Sequence, residues 1–200
     1  MTSSLKRAAA SAVALSALTG TALAHPGHGE AGGFAHGFMH PLGGIDHVLA
    51  MVAVGLFAAH LGGRALWAVP VTFVSVMALG GALGIAGVNL PLVETGIALS
   101  VVVLGLAVAA RLSVPTRAAM ALVGFFAIFH GYAHGAEMPV DASGATYAAG
   151  FMAATALLHV AGIAIGLMIG KFGDLAGRRA VQFAGGAMAL AGVAILMGVY

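Results

Sequence analysis

The chain contains no cysteine. Disulfides, iron–sulfur clusters and thiolate metal sites are therefore excluded. Charge is scarce as well. Only 7% of the 200 residues are charged, where a soluble domain carries roughly 25%. Eight basic and six acidic side chains cannot build a water-facing shell. No GxxxxGK[ST] phosphate loop occurs, so ATP-driven pumping by this chain alone is unsupported. The formal charge of +2 and the pI of about 9.4 do not indicate a nucleic-acid partner. The basic residues are scattered over short connectors and form no patch. What is present is apolar: 61% of the residues are hydrophobic, in stretches of membrane-spanning length. Lipid is the expected solvent for most of the surface. Against so few polar groups, nine histidines are a large share.

The N-terminus reads as an export signal. Lys6 and Arg7 form a positive start, Ala8 to Leu18 a short apolar core, and Ala22-Leu23-Ala24 a small-residue cleavage pattern. Residues 1–24 are accordingly expected to be removed, leaving a single polytopic membrane domain over 25–200. Six apolar stretches follow, at about 41–61, 65–88, 92–112, 117–137, 146–170 and 180–200. Roughly 20 helical residues cross a 30 Å hydrocarbon core. In lipid only helices and closed barrels satisfy their backbones, and these stretches exceed barrel strands. The expected fold is an all-α bundle of about six transmembrane helices.

Charge placement gives a second constraint. With the exported N-terminus outside, Arg64, Arg111, Arg117, Lys171, Arg178 and Arg179 all fall on the cytoplasmic side. The outer connectors hold Glu94, Glu137 and Asp141 and no Lys or Arg. This is a positive-inside pattern and puts the C-terminus outside too. Asp174 is the one acid in a cytoplasmic loop, and acids count little in this rule. Gly162, Gly166 and Gly170 on the fifth stretch and Gly80, Gly81 and Gly84 on the second fit close helix packing. Met39, Met51, Met77 and Met120 read as core filler, since no regular Met cluster occurs.

Ionisable groups inside spans are costly and usually functional. One constellation is FAHGFMHPLGGIDH, Phe34 to His47, with His36, His40, Asp46 and His47. Pro41 suits the first helical position, with His40 as outer cap. His40 and His47 then share a face, Asp46 lies about 100° round, and Gly43 and Gly44 can bend the start. The other is FHGYAHGAE, Phe129 to Glu137. Its His130, His134 and Glu137 follow i, i+4, i+7 along one face. Both constellations fall in the outer half of the bundle, beside Glu94. Deeper lie His159 at mid-span and His60 at the cytoplasmic end, which outline a path; either also fits a lone interhelical hydrogen-bonding group. His25 and His28 can capture metal at the mature N-terminus or belong to an unordered processing remnant. Imidazole with carboxylate suits nickel, cobalt, copper or zinc; calcium and magnesium prefer all-oxygen sites.

HPLGGIDH (His40 to His47) and FHGYAHGAE (Phe129 to Glu137) resemble the two signatures of the HupE/UreJ nickel and cobalt permeases, in the same order. The likeness extends over essentially the whole mature chain. It implies a bacterial inner-membrane permease supplying nickel, or cobalt, to hydrogenase or urease. The family's functional positions carry over to His40, Asp46, His47, His130 and Glu137. The metal is then cargo, and no prosthetic group is implied. Homo-oligomers are compatible with this, and a divalent ion and the bilayer are the implied partners. An intramembrane His/carboxylate metalloenzyme and a haem-binding electron carrier are the competing readings. Against an enzyme, the HExxH motif is absent and no Ser or Cys nucleophile sits with a histidine in a span.

Overall fold

The structure is a computed structural model that describes residues 30–138, 144–171 and 175–199. The signal segment, His25, His28, Asp141 and Asp174 lie outside the described residues. Those residues are helical throughout, without strands: α1 (Glu30–Gly43), α2 (Ile45–Leu61), α3 (Ala65–Ile85), α4 (Val93–Ala109), α5 (Thr116–Ala136), α6 (Gly144–Lys171) and α7 (Leu175–Leu196). Five of the six apolar stretches each coincide with one helix, with shifted ends, and the first covers the end of α1 and all of α2. The last begins at Leu175 rather than at residue 180. By length and composition α3, α5, α6 and α7 can cross a membrane, α1 with α2 passes the same test as a bent pair, and α4 is a shorter apolar helix.

The start of the first stretch differs from the sequence reading. Helix α1 already contains His40, and Pro41 lies inside it rather than at a first helical position. Proline removes one backbone bond but leaves the preceding turns intact when the helix ends soon after it. It ends here at Gly43. Gly44 is extended (φ −99°, ψ 119°), and the axis turns by 83° between α1 and α2. The glycine pair therefore makes the bend that its composition suggested. A Cβ at Gly44 would lie 2.7 Å from Asp46 Oδ1, so a side chain there would displace that carboxylate.

Helix α2 is the hub and touches all six other helices. Its Ala50, Met51, Ala53, Val54, Phe57 and Ala58 form the centre of the core. Because lipid tails are as apolar as leucine, packing in a bilayer depends on close backbone approach and dispersion. Gly55 of α2 faces the backbone of His159 and Gly162 on α6. Gly166 meets Ala59, whereas Gly170 meets nothing within 4 Å. Helices α3 and α5 form the most extensive pair, and Gly80 and Gly84 of α3 lie on α5 backbone as expected. Met51 and Met77 are buried, and Met120 packs on the core. Met39 is not core filler; it is exposed.

Candidate metal path

The bend at Gly44 and the C-terminal turns of α5 bring the two histidine constellations together. They share a cleft of about 520 Å³ lined by His36, His40, Asp46, His47, Glu94, His134 and Glu137, with Met39 at its edge. No Lys or Arg lines it. At the opposite end, a cleft of about 280 Å³ holds His60, Arg111 and Arg178. The acids and the arginines thus collect at opposite ends of the bundle.

The histidines form a column running inward from the acidic cleft. His36 is exposed, with its ring centroid 6.4 Å from that of His40. His40, His134 and Glu137 each offer a ligand atom, and these atoms lie within 4.8 Å of one another. His134 Nε2 is 3.1 Å from His47 Nδ1. The same His47 Nδ1 is 3.1 Å from His130 Nδ1. His47 and His130 are fully buried. Phe151 supports the column, its ring 5.3 Å from His47 and 4.4 Å from His134.

Asp46 does not join the imidazoles. Its Oδ1 accepts the His47 backbone N–H at 2.7 Å, so it sits on the free amides at the N-terminus of α2. From there it faces the cleft with Glu94 and Glu137. These carboxylates can draw a cation to the mouth of the cleft.

Below His130 the column is interrupted by Phe73, whose ring is 5.8 Å from His130 and 5.2 Å from His159. His159 is buried, and neither ring nitrogen has a hydrogen-bond partner among the described residues. It is therefore not the interhelical hydrogen-bonding group that a lone histidine suggests. His60 is: its Nε2 lies 2.9 Å from the Arg111 carbonyl and 3.3 Å from Ser113 Oγ, tying α2 to the loop after α4.

Sequence reasoning missed Ser100. It is fully buried on α4, and its Oγ lies 2.8 Å from His130 Nε2. This corrects the expectation that no serine sits with a histidine in a span. A nucleophilic serine gives its proton to the imidazole. Ser100 gives its proton to the Ile97 carbonyl at 2.6 Å instead, so the pair is not arranged for nucleophilic attack. No sequence signal marked this residue, since Leu99-Ser100-Val101 reads as a span with one small polar group. Phe73 and Phe151 were invisible for the same reason.

A polytopic all-helical membrane protein, carrying an acidic cleft that leads into a buried histidine column, is the class that fold and site define. The sequence matches the family model for HupE / UreJ protein over residues 13–195. It is also 52% identical over 185 residues to Protein HupE of Rhizobium leguminosarum bv. viciae, covering 92% of this chain and 95% of that protein. The chain belongs to the HupE/UreJ family, which is linked to nickel and cobalt uptake. No solved structure matches it.

Proposed function

We propose that this protein is a permease that takes up Ni²⁺, or Co²⁺, by passing the ion along shared histidine ligands. The observation that carries this reading is the continuity of the column. His134 belongs both to the His40–His134–Glu137 group and to the pair with His47. His47 in turn belongs to the pair with His130. Metal–imidazole bonds of about 2.0–2.1 Å place neighbouring ligand nitrogens roughly 3–3.4 Å apart. The 3.1 Å separations fall within that range. An ion stepping from one pair to the next keeps one ligand at every step, so it is never stripped bare in a low-dielectric interior. The carboxylates of the cleft offset its charge on entry. Imidazole and carboxylate donors suit borderline divalent ions.

A membrane potential favours inward movement of a divalent cation by roughly 4–5 kcal/mol per 100 mV, which is sufficient to drive uptake without ATP. The same reading has residues 1–24 removed, six spans formed by α1/α2 together and by α3 to α7, and both mature ends outside the bacterial inner membrane. The family's association with hydrogenase and urease suggests the destination of the metal. Cells without nickel permeases of their own provide the test. Expression of this chain should confer uptake of radioactive nickel at nanomolar concentration, and competition by cobalt, zinc and copper ranks the metals. Well-expressed protein that confers no uptake of any of these ions would refute the reading.

Orientation is testable separately, because a chain without cysteine accepts single-cysteine labels. Val88 and Leu112 are exposed at opposite ends of the bundle. Val88→Cys should react with a membrane-impermeant maleimide in intact spheroplasts. Leu112→Cys should react only after lysis. The reverse pattern would invert the topology.

A further inference from the structure

We infer that Ser100 is a positioning residue that fixes the tautomer of His130 and thereby aims its Nδ1 lone pair at His47. Ser100 lies outside both histidine motifs, on a different helix from either. The inference rests on the reading of the column as an ion path, but its geometric part stands alone.

A serine hydroxyl has one proton to give and lone pairs to accept with. The Ile97 carbonyl 2.6 Å away can only accept, so the hydroxyl proton is committed to it. The contact of 2.8 Å to His130 Nε2 must then run the other way. His130 donates Nε2–H, and the serine oxygen accepts. A neutral imidazole carries one N–H, so His130 Nδ1 is left with a lone pair. That lone pair faces His47 Nδ1 at 3.1 Å. Without metal it accepts the His47 Nδ1–H; with metal it is a ligand. Both donor and acceptor are fully buried, so water does not compete for this arrangement.

The two imidazoles next to it in the column are held differently. His47 Nε2 and His134 Nδ1, the nitrogens turned away from the shared contact, have no hydrogen-bond partner among the described residues. Fixing the far nitrogen of a ligating histidine sets ring orientation and basicity. Of these three, His130 alone is fixed in this way among the described residues. Ser100 therefore makes His130 the oriented inner terminus, while no hydrogen bond on the far nitrogen fixes the tautomer of His47 or His134.

The test uses purified full-length protein in lipid nanodiscs, ¹⁵N-labelled at histidine, with His130 assigned by comparison with His130→Asn. Metal-free wild type should show His130 protonated at Nε2. Ser100→Ala, which only removes a hydroxyl, should shift His130 toward the Nδ1–H form. Ni²⁺ titration of the same samples should show affinity falling by about 10–100-fold, as for other outer-shell partners of metal ligands. Wild-type His130 protonated at Nδ1 would overturn the inference. So would a Ser100→Ala sample whose tautomer is unchanged, whether or not its nickel affinity falls, because such a fall would reflect packing alone. If wild type binds no nickel, the permease reading fails while the tautomer comparison still decides the role of Ser100.

Discussion

Replacing His47 by phenylalanine should abolish nickel uptake by protein present in the membrane at the wild-type level. His47 Nδ1 lies 3.1 Å from both His134 Nε2 and His130 Nδ1. Without it, the outer His40–His134–Glu137 group and the inner His130 have no common ligand. An ion would have to leave one before meeting the next, uncoordinated in a buried space. Loss of an outer-shell partner alone weakens metal sites by 10–100-fold, so loss of the shared ligand should reduce the uptake rate by more than about 100-fold. Phenylalanine is the informative substitution. It nearly conserves volume at a fully buried site beside Phe151, and it removes an imidazole nitrogen that has no partner. The substitution also leaves His130 Nδ1 and His134 Nε2 without their His47 contact, at about 1–3 kcal/mol for each buried group left unsatisfied, so uptake is compared only at matched levels of folded protein. His60→Ala is the contrast. That side chain ties α2 to the loop after α4, so its loss should cost about 0.5–1.5 kcal/mol of stability and leave uptake near the wild-type rate. Radioactive nickel uptake at matched membrane levels measures both. Wild-type rates in His47→Phe would remove the histidine column from the path.

Much of this arrangement was legible in the sequence, for identifiable reasons. The apolar stretches are bounded by arginines, acids and glycines, so their positions could be read to within a few residues. The i, i+4, i+7 spacing of His130, His134 and Glu137 put them on one face whatever the rest of α5 contacts. Alternating threading of the spans then placed them at the same end as His40 and His47. Other features left no trace. A membrane helix is apolar on its lipid face and on its packed face, so periodicity does not reveal which face turns inward. That is why the hub position of α2 was not foreseeable, nor were the insertion of Phe73 between His130 and His159 or the burial of Ser100. The extension of α1 through Pro41 was missed because a local rule about proline was applied without the tertiary contact that overrides it. Helix α1 packs closely on α6, with Gly37 against the Tyr147 backbone and Gly150 against the Phe34 backbone. The sequence placed Asp46 beside His47 in the cleft, but not its local contact, which the helix start at Ile45 sets by directing Oδ1 to the His47 amide.

A methyl group at Gly131 should damage the site as severely as loss of a ligand, although Gly131 touches no ion. The glycines of FHGYAHGAE occupy the face of α5 that meets α3. A Cβ at Gly131 would fall on the Met77 carbonyl and within 2.9 Å of Gly81 N, and one at Gly135 would fall on the Gly81 backbone. Backbone atoms cannot give way as a flexible side chain can, so the two helices must separate. Overpacking of this kind costs about 1–3 kcal/mol. The cost is concentrated here, because His130 precedes Gly131 and its ring must reach both Ser100 on α4 and His47 on α2. Moving α5 away from α3 changes those distances by tenths of an ångström or more, at contacts of 2.8 and 3.1 Å. Gly131→Ala should therefore lower the unfolding temperature of the detergent-solubilised protein and abolish nickel binding by the fraction that remains folded. Gly186→Ala supplies the control. A Cβ there meets nothing within 4 Å, and alanine is the better helix former by roughly 0.5–1 kcal/mol, so that variant should be at least as stable as wild type and fully active. Equal stability and equal nickel binding in the two variants would show that close α3–α5 contact does not set the position of His130.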